Sequence, residues 1–388
     1  MKKMLLALWL LIACALLGGC GGGHEIESCL FVLSMAVDPA PQGNLTVTIK
    51  ALSGTQEATG GASASPKPDE ASSLEEPEPG YIVMSATAPS CLRALNMLSS
   101  TTPRTLHLSQ LREIVLNQTL AQTDATLSVL QEIHSMYRAN GEAIVVITPD
   151  DAGDFIRRQR AILGIRLSKY LEVLFDHFSQ MDMIPSDAQL ASVIAAMESG
   201  TTDAAAVYAA GNAFDSPLVL SGEADMDRLP GHLPRTSPAE NEYLGSALFS
   251  GPRMTGTLTG EETGLMLLMM GKARRQSTFI GNALYRTNLP TRVRRRIEPD
   301  GTLSVHIAMS LRHVAGETAL SQEEIAAQIE REAVNVLLRL RAAGCDAVGF
   351  GQIAIRKSLD IPAWEARNWP QEYETRGVRV TADVKVLQ

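Results

Sequence analysis

Aromatic residues make up only 5% of this 388-residue chain, with three tryptophans in all, while the 45% hydrophobic content is ordinary for a globular protein. Beyond the first seventeen residues, no uncharged apolar run reaches the roughly 18 residues of a membrane-spanning helix. The stretch from Leu265 to Met270 is strongly apolar but short, and Gly271-Lys272-Ala273-Arg274-Arg275 closes it. No transmembrane helix is therefore expected beyond the N-terminus. Cysteine is scarce and odd in number once sorted. Cys14 and Cys20 lie at the N-terminus, leaving Cys29, Cys91 and Cys345 without any CxxC spacing. Small buried thiols fit their apolar surroundings, and a Cys29–Cys91 bridge stays open. The seven histidines show no His-x-x-x-His or Glu-x-x-His spacing, so no metal site is expected. A formal charge of −9 argues against nucleic acid as a general partner.

What is present is concentrated first at the N-terminus. Lys2 and Lys3 precede an apolar run from Met4 to Leu17, which ends Leu17-Gly18-Gly19-Cys20. The run has the length and flanks of a secretory signal. Its ending is the lipobox of bacterial lipoproteins, in which the cysteine sulfur receives a diacylglycerol and becomes the first mature residue. Residues 1–19 are thus read as a signal peptide, Cys20 as the lipidation site, and residues 20–28 as anchor and spacer, flexible at Gly21-Gly22-Gly23.

Mixed α and β structure follows. Cys29 to Val37 reads as a buried strand, and Asn44 to Leu52 alternates apolar and polar residues as a half-buried strand does. Residues 53–80, rich in Gly, Ser, Pro and acids, offer too little apolar area to offset their ordering entropy and are read as a disordered loop. Tyr81 to Met84 resumes the sheet. Helices are expected at Ser90–Ser99, Ala121–Arg138, Leu167–Phe178 and Ser186–Glu198, with strands at Glu113–Leu116 and Ala143–Ile147. Asp150-Asp151 caps a further helix. Residues 29–210 form one N-terminal α/β region, with a division into two domains left open. Residues 211–241, rich in Gly, Pro and Asp, read as a linker or crossover. Residues 242–388 read as a C-terminal α/β domain. There Tyr243–Phe249 is a strand, and Thr259/Glu262 and Ser321/Glu324 are capping boxes. Pro299-Asp300-Gly301 turns a hairpin, a long helix runs to about Ala343, and Val378 to Val386 forms a closing strand.

No catalytic constellation emerges. Glu261 and Glu262 are adjacent acids in a first helical turn, where they favour the helix dipole. Gly349-Phe350-Gly351 lacks the frame of a phosphate loop and reads as a turn. Arg292, Arg294 and Arg296 would share one face of a strand. Acidic lipid headgroups, an acidic partner and plain solvation all fit them. With no cofactor expected either, a binding or assembly protein is favoured over an enzyme.

Several blocks together resemble the Ger(x)C spore-germination lipoproteins, the C subunits of nutrient germinant receptors. They are Cys20 with His24-Glu25-Ile26-Glu27 and Ala36-Val37-Asp38, then Thr102-Pro103-Arg104 with Ser109-Gln110-Leu111-Arg112. Gly245-Ser246-Ala247-Leu248-Phe249 leads on through Leu258-Thr259-Gly260-Glu261-Glu262-Thr263 to Met270-Gly271-Lys272. Last comes Cys345-Asp346-Ala347-Val348-Gly349-Phe350-Gly351, with Trp369 beyond. The resemblance implies three α/β domains along the chain and no catalytic residue. It further implies A and B receptor subunits as partners, the B subunit resembling an amino-acid transporter. A place on the outer face of the spore inner membrane, held by diacylglyceryl-Cys20, completes the expectation. The rival readings are a lipid-anchored solute-binding protein and a cell-wall enzyme, the latter disfavoured by the absent acid/base pair.

Overall fold

A computed structural model describes residues 28–53, 80–136, 139–162, 165–212, 228–233, 239–274, 277–281, 283–316, 320–358 and 360–387. Residues 1–19, expected to be a signal peptide, Cys20, and all but the ends of the expected loop over 53–80 lie outside the described residues, as does most of 211–241.

The described residues form two sheets flanked by helices, a mixed α/β architecture. The larger sheet contains β1 (Cys29–Pro39), β2 (Leu45–Leu52), β3 (Tyr81–Ala88), β4 (Thr105–His107), β5 (Glu113–Asn117), β6 (Ile144–Thr148), β7 (Ala205–Gly211), β8 (Asn241–Ser250) and β9 (Arg253–Leu258). Its order is β3-β2-β1-β5-β6-β7-β8-β9, with β4 paired to β1. The centre, β1-β5-β6-β7, is parallel, and antiparallel hairpins close both sides. Parallel strands covered on both faces are apolar throughout, and Ile114, Val115 and Leu116 on β5 are all fully buried.

Helices α1 (Cys91–Ser99), α2 (Gln118–Ala121), α3 (Ala125–Ser135), α4 (Ala152–Arg158), α5 (Leu167–Gln180) and α6 (Leu190–Ser199) supply that cover. Leu95, Leu130 and Val193, from α1, α3 and α6, join one core with Val32, Val37 and Ile114. Phe155 and Leu171, from α4 and α5, pack with Leu33, Ala36 and Val115 in a second core on the opposite face. Of the helix expected over Ala121–Arg138, α3 forms Ala125–Ser135, and a separate short helix, α2, ends at Ala121. Thr126 is buried at the start of α3, and its hydroxyl, with one proton to donate, lies within hydrogen-bond reach of the Leu120, Ala121 and Thr123 carbonyls at 3.3, 3.1 and 3.0 Å. Competition of this kind between hydroxyl and backbone is why Thr marks turns.

The smaller sheet contains β10 (Ser277–Ile280), β11 (Ala283–Thr287), β12 (Arg292–Ile297), β13 (Leu303–Ala315) and β14 (Val378–Leu387). The long β13 pairs with β12 and β11 along one edge and with β14, in parallel, along the other. One face is covered by α8 (Gln322–Ala342), whose Ile325, Ile329, Val336 and Leu340 are buried against Val305, Ile307 and Val380. α7 (Gly260–Met270) contributes Met266 and Met269 to the same core. Three short helices, α9 (Gly351–Ile355), α10 (Ile361–Glu365) and α11 (Trp369–Thr375), lie between α8 and β14. Both expected capping boxes form, Thr259 with Glu262 on α7 and Ser321 with Glu324 on α8. The hairpin turn at Pro299-Asp300-Gly301 also stands between β12 and β13.

The strand expected over Tyr243–Phe249 forms as β8 and joins the larger sheet. β8 folds back antiparallel onto β7, with Gly211 opposite Asn241 and Ala205 opposite Leu248. The Glu242 carboxylate holds the return by accepting from the Gly231 N–H at 2.5 Å and from the Asn212 side chain. β8 and β9 therefore extend the first sheet. Within β8, Gly245 has φ +91°, and a Cβ there would lie 2.2 Å from the Leu258 carbonyl. A side chain would strain the backbone and push β9 away at once. Gly245→Ala should lower unfolding free energy by about 2 kcal/mol or more, read as a fall in denaturation midpoint. An unchanged midpoint would mean that β8 relaxes without cost.

Candidate functional site

The residues singled out in the sequence do not converge on one centre. Glu262 is consumed by its capping box and an ion pair with Arg339, while Glu261 lies at the rim of a cavity. No group of three or more His, Cys, Asp or Glu side chains able to hold a metal occurs among the described residues. Cys29, Cys91 and Cys345 are separate, buried free thiols, so no bridge joins the first two. Burial pushes the Cys91 thiol up to about 12, with Glu132 adding to the shift, so it is no nucleophile. The arginine run alternates as a strand should. Arg292, Arg294 and Arg296 face solvent, and Arg295 turns inward to donate to the Val348 carbonyl.

Val348 belongs to the segment where polar chemistry is densest. Between α8 and α9 the chain turns so that the buried Asp346 carboxylate receives four N–H groups. Oδ1 accepts from Gly349 at 3.0 Å and Phe350 at 2.9 Å. Oδ2 accepts from Gly351 at 2.6 Å and from the Trp369 indole at 3.0 Å. A Cβ on Gly351 would sit 2.5 Å from the Thr201 carbonyl and 2.7 Å from the Trp369 nitrogen, so only glycine fits this approach. Burial raises the Asp346 carboxyl to about 7, although the donors from Gly351, Phe350 and Trp369 pull it back. Asp203, just before β7, faces it. The Asp203 carboxylate accepts the Asp346 N–H at 2.8 Å and the Gly251 N–H at 3.0 Å. Thr202 donates its hydroxyl to the Asp346 carbonyl at 3.2 Å. Both Asp346 carboxylate oxygens are taken up by N–H groups of the protein itself. Its chemistry is to fix backbone, and it fixes the smaller sheet's helices against the end of the larger sheet.

A second polar cluster lies inside the larger sheet. Glu113 on β5 accepts from Ser34 at 2.7 Å, from Tyr243 at 3.1 Å and from Gln159. Lys50 donates to the Gln159 carbonyl at 2.5 Å and to the Ile156 carbonyl at 3.3 Å. Burial raises the Glu113 carboxyl, opposed by these donors and by the Lys50 charge. Asp38, at the end of β1, accepts from the Ala152 and Gly153 N–H groups at 2.8 and 3.0 Å, capping α4. Sequence reading gave Lys50, Glu113 and Gln159 no site role, because apolar neighbours hide a partner that is distant along the chain.

Beside this cluster opens a cavity of about 360 Å³ between α5 and β8. Leu171, Leu174, Phe178 and Leu244 form its apolar wall, with Gln159, Tyr243 and the charged Arg158, Arg160, Glu240 and Glu261 also lining it. Its size and lining suit a small amphipathic molecule.

Asp346→Ala would leave three backbone N–H groups and an indole N–H buried without acceptors, at about 1–3 kcal/mol for each group left unsatisfied. The variant should lose about 3 kcal/mol or more of stability, against about 1 kcal/mol for Trp369→Phe. Urea denaturation followed by far-UV dichroism checks this, and equal midpoints for Asp346→Ala and the parent would remove Asp346 from its structural role.

The comparisons with known proteins bear on the same segments. Residues 22–210 match the family model described as the spore germination protein N-terminal domain. Residues 244–388 match that described as spore germination B3/GerAC-like, C-terminal. A search of curated proteins gives no match. Among solved structures, the crystal structure of the GerBC protein aligns over 91% of this chain and 97% of that one, at 13% identity and a TM-score of 0.44. Two family models in the expected order, covering most of the chain between them, place it in the Ger(x)C family of spore germination proteins.

Proposed function

We propose that this chain is a non-enzymatic, lipid-anchored subunit of a spore nutrient germinant receptor, required for the germination response. Diacylglyceryl-Cys20 holds it on the outer face of the spore inner membrane, and it assembles there with the A subunit and the transporter-like B subunit. The observation that carries the reading is the paired family match over residues 22–210 and 244–388. The apolar run ending in Leu17-Gly18-Gly19-Cys20 supports the anchor. No helix of the described residues is long and apolar enough to cross a membrane, which is consistent with attachment through lipid. The polar side chains described above bond to backbone and to one another, as scaffold residues do.

The cavity beside Gln159 and Tyr243 favours a second reading, a lipid-anchored solute-binding protein that captures a nutrient itself. The two readings separate by what accompanies the protein. Affinity purification of the tagged chain from detergent-solubilised dormant-spore membranes should recover a polytopic transporter-like protein and a second receptor subunit. Recovery of the chain alone, in detergent that preserves other complexes, would favour the solute-binding reading. A germinant that raises the melting temperature of the isolated protein would do the same.

Cys20→Ala removes the lipid acceptor. Because stable anchoring takes two chains or one chain with a second signal, the variant should fall about tenfold in the membrane fraction and fail in nutrient germination. A variant that stays membrane-bound and functional would refute the anchoring claim.

A further inference from the structure

The smaller sheet has one covered face and one open face, and the open face is basic. Register fixes which residues share it. Arg292, Arg294 and Arg296 on β12 stand opposite Ala308, His306 and Ser304 on β13. Those three in turn stand opposite Asp383, Thr381 and Arg379 on β14. Further along, Arg286 on β11 stands opposite Arg312, and Lys385 opposite Ser310. Opposed residues point to the same side of a sheet, and the seven arginine and lysine residues among these are all exposed. Four acids lie near the seven cations, among them Glu323 of α8, which lines one cavity with Arg292 and Lys385. Asp383 pairs with His306 at 3.4 Å, Glu298 accepts from Ser304, and Asp300 lies at the hairpin turn near Arg379. The chain as a whole carries −9, so this face opposes the sign of the molecule.

An apolar edge adjoins the basic field. Phe279 stands opposite Leu284, the neighbour of inward-facing Tyr285, so both point outward beside Arg286. Phe279 is 72% exposed, and Val314, in the bulged part of β13, is 46% exposed. Between the cations lie Ala308, Ser304, Ser310 and Thr381, with none of the large buried anchors that give a protein–protein interface its central energy. Long cations over small residues, with an exposed phenylalanine at the margin, match the headgroup layer and acyl boundary of a lipid bilayer.

We infer that the open face of the smaller sheet lies against an anionic lipid surface, with Arg292, Arg294 and Arg296 on phosphate headgroups and Phe279 at the acyl boundary. The inference rests on the proposed anchoring at Cys20, which keeps the protein beside a membrane. The lipid tether gives attachment. The basic face gives orientation, since the acidic remainder of the molecule is repelled by the same surface.

The test uses the full chain carrying Phe279→Trp, reconstituted into vesicles of phosphatidylcholine alone or with phosphatidylglycerol, with brominated lipid as quencher. Trp364 and Trp369 are buried, and the parent chain supplies their background. Quenching should be at least about threefold greater with phosphatidylglycerol, and should fall in high salt, where surface charges are screened. It should also fall when R292E, R294E and R296E are combined, three exposed changes whose unaltered melting temperature confirms folding. Equal quenching in both vesicle types, or quenching that survives the triple reversal, overturns the inference. So does absent quenching with loss of co-purifying subunits in the triple variant, which would assign the face to an acidic protein partner. Flotation reports the anchor separately. A chain that floats with both vesicle types but shows no charge-dependent quenching refutes the basic face alone, and one that floats with neither refutes the anchor.

Discussion

One buried carboxylate sets the relation between the two halves of this protein. Asp346 could not lie where it does without the N–H groups of Gly349, Phe350 and Gly351 and the indole of Trp369. Those groups could not turn so tightly without an acceptor at their centre. Because Asp203 and Thr202 reach the same residue from the other side, the turn after α8 is also the seam between the sheets. The donors offset only part of the cost of burying the charge, since the carboxyl still stands at about 7, so the loss of any one of them weakens the whole seam.

The same logic runs through the other segments shared with the family. Asp38 caps α4, Glu262 caps α7, and Gly245 lets β9 close on β8. Arg104 donates to the Ser53 carbonyl at 2.6 Å, where the chain leaves β2. Each answers a backbone group that would otherwise be unsatisfied or obstructed.

Much of this was legible in the sequence, and the limits have physical causes. The strand at Val378–Leu387 is legible by its alternation and both capping boxes are local enough to read, whereas the alternation over Leu45–Leu52 points to a half-buried strand and β2 is buried on both faces, Thr48 and Lys50 included. β7 escaped notice because Ala205-Ala206-Val207-Tyr208-Ala209-Ala210 is buried on both faces and shows no alternation. The short β10 and β11 lack length for a pattern. The alternation over Asn44 to Leu52 places Lys50 on a polar face, yet Lys50 and Glu113 are both buried, because their partners lie about a hundred residues away or on other strands. Tyr243–Phe249 was recognised as a strand, but its partner was not, because pairing across thirty intervening residues leaves no local trace.

That pairing separates the unit of sequence from the unit of folding. The two family models part between residues 210 and 244, which is the gap between β7 and β8, two neighbours in one hydrogen-bonded ladder. A chimera that joined the first half of one family member to the second half of another would have to rebuild that ladder across its own splice. Such an exchange would succeed only between halves whose edges already agree in register.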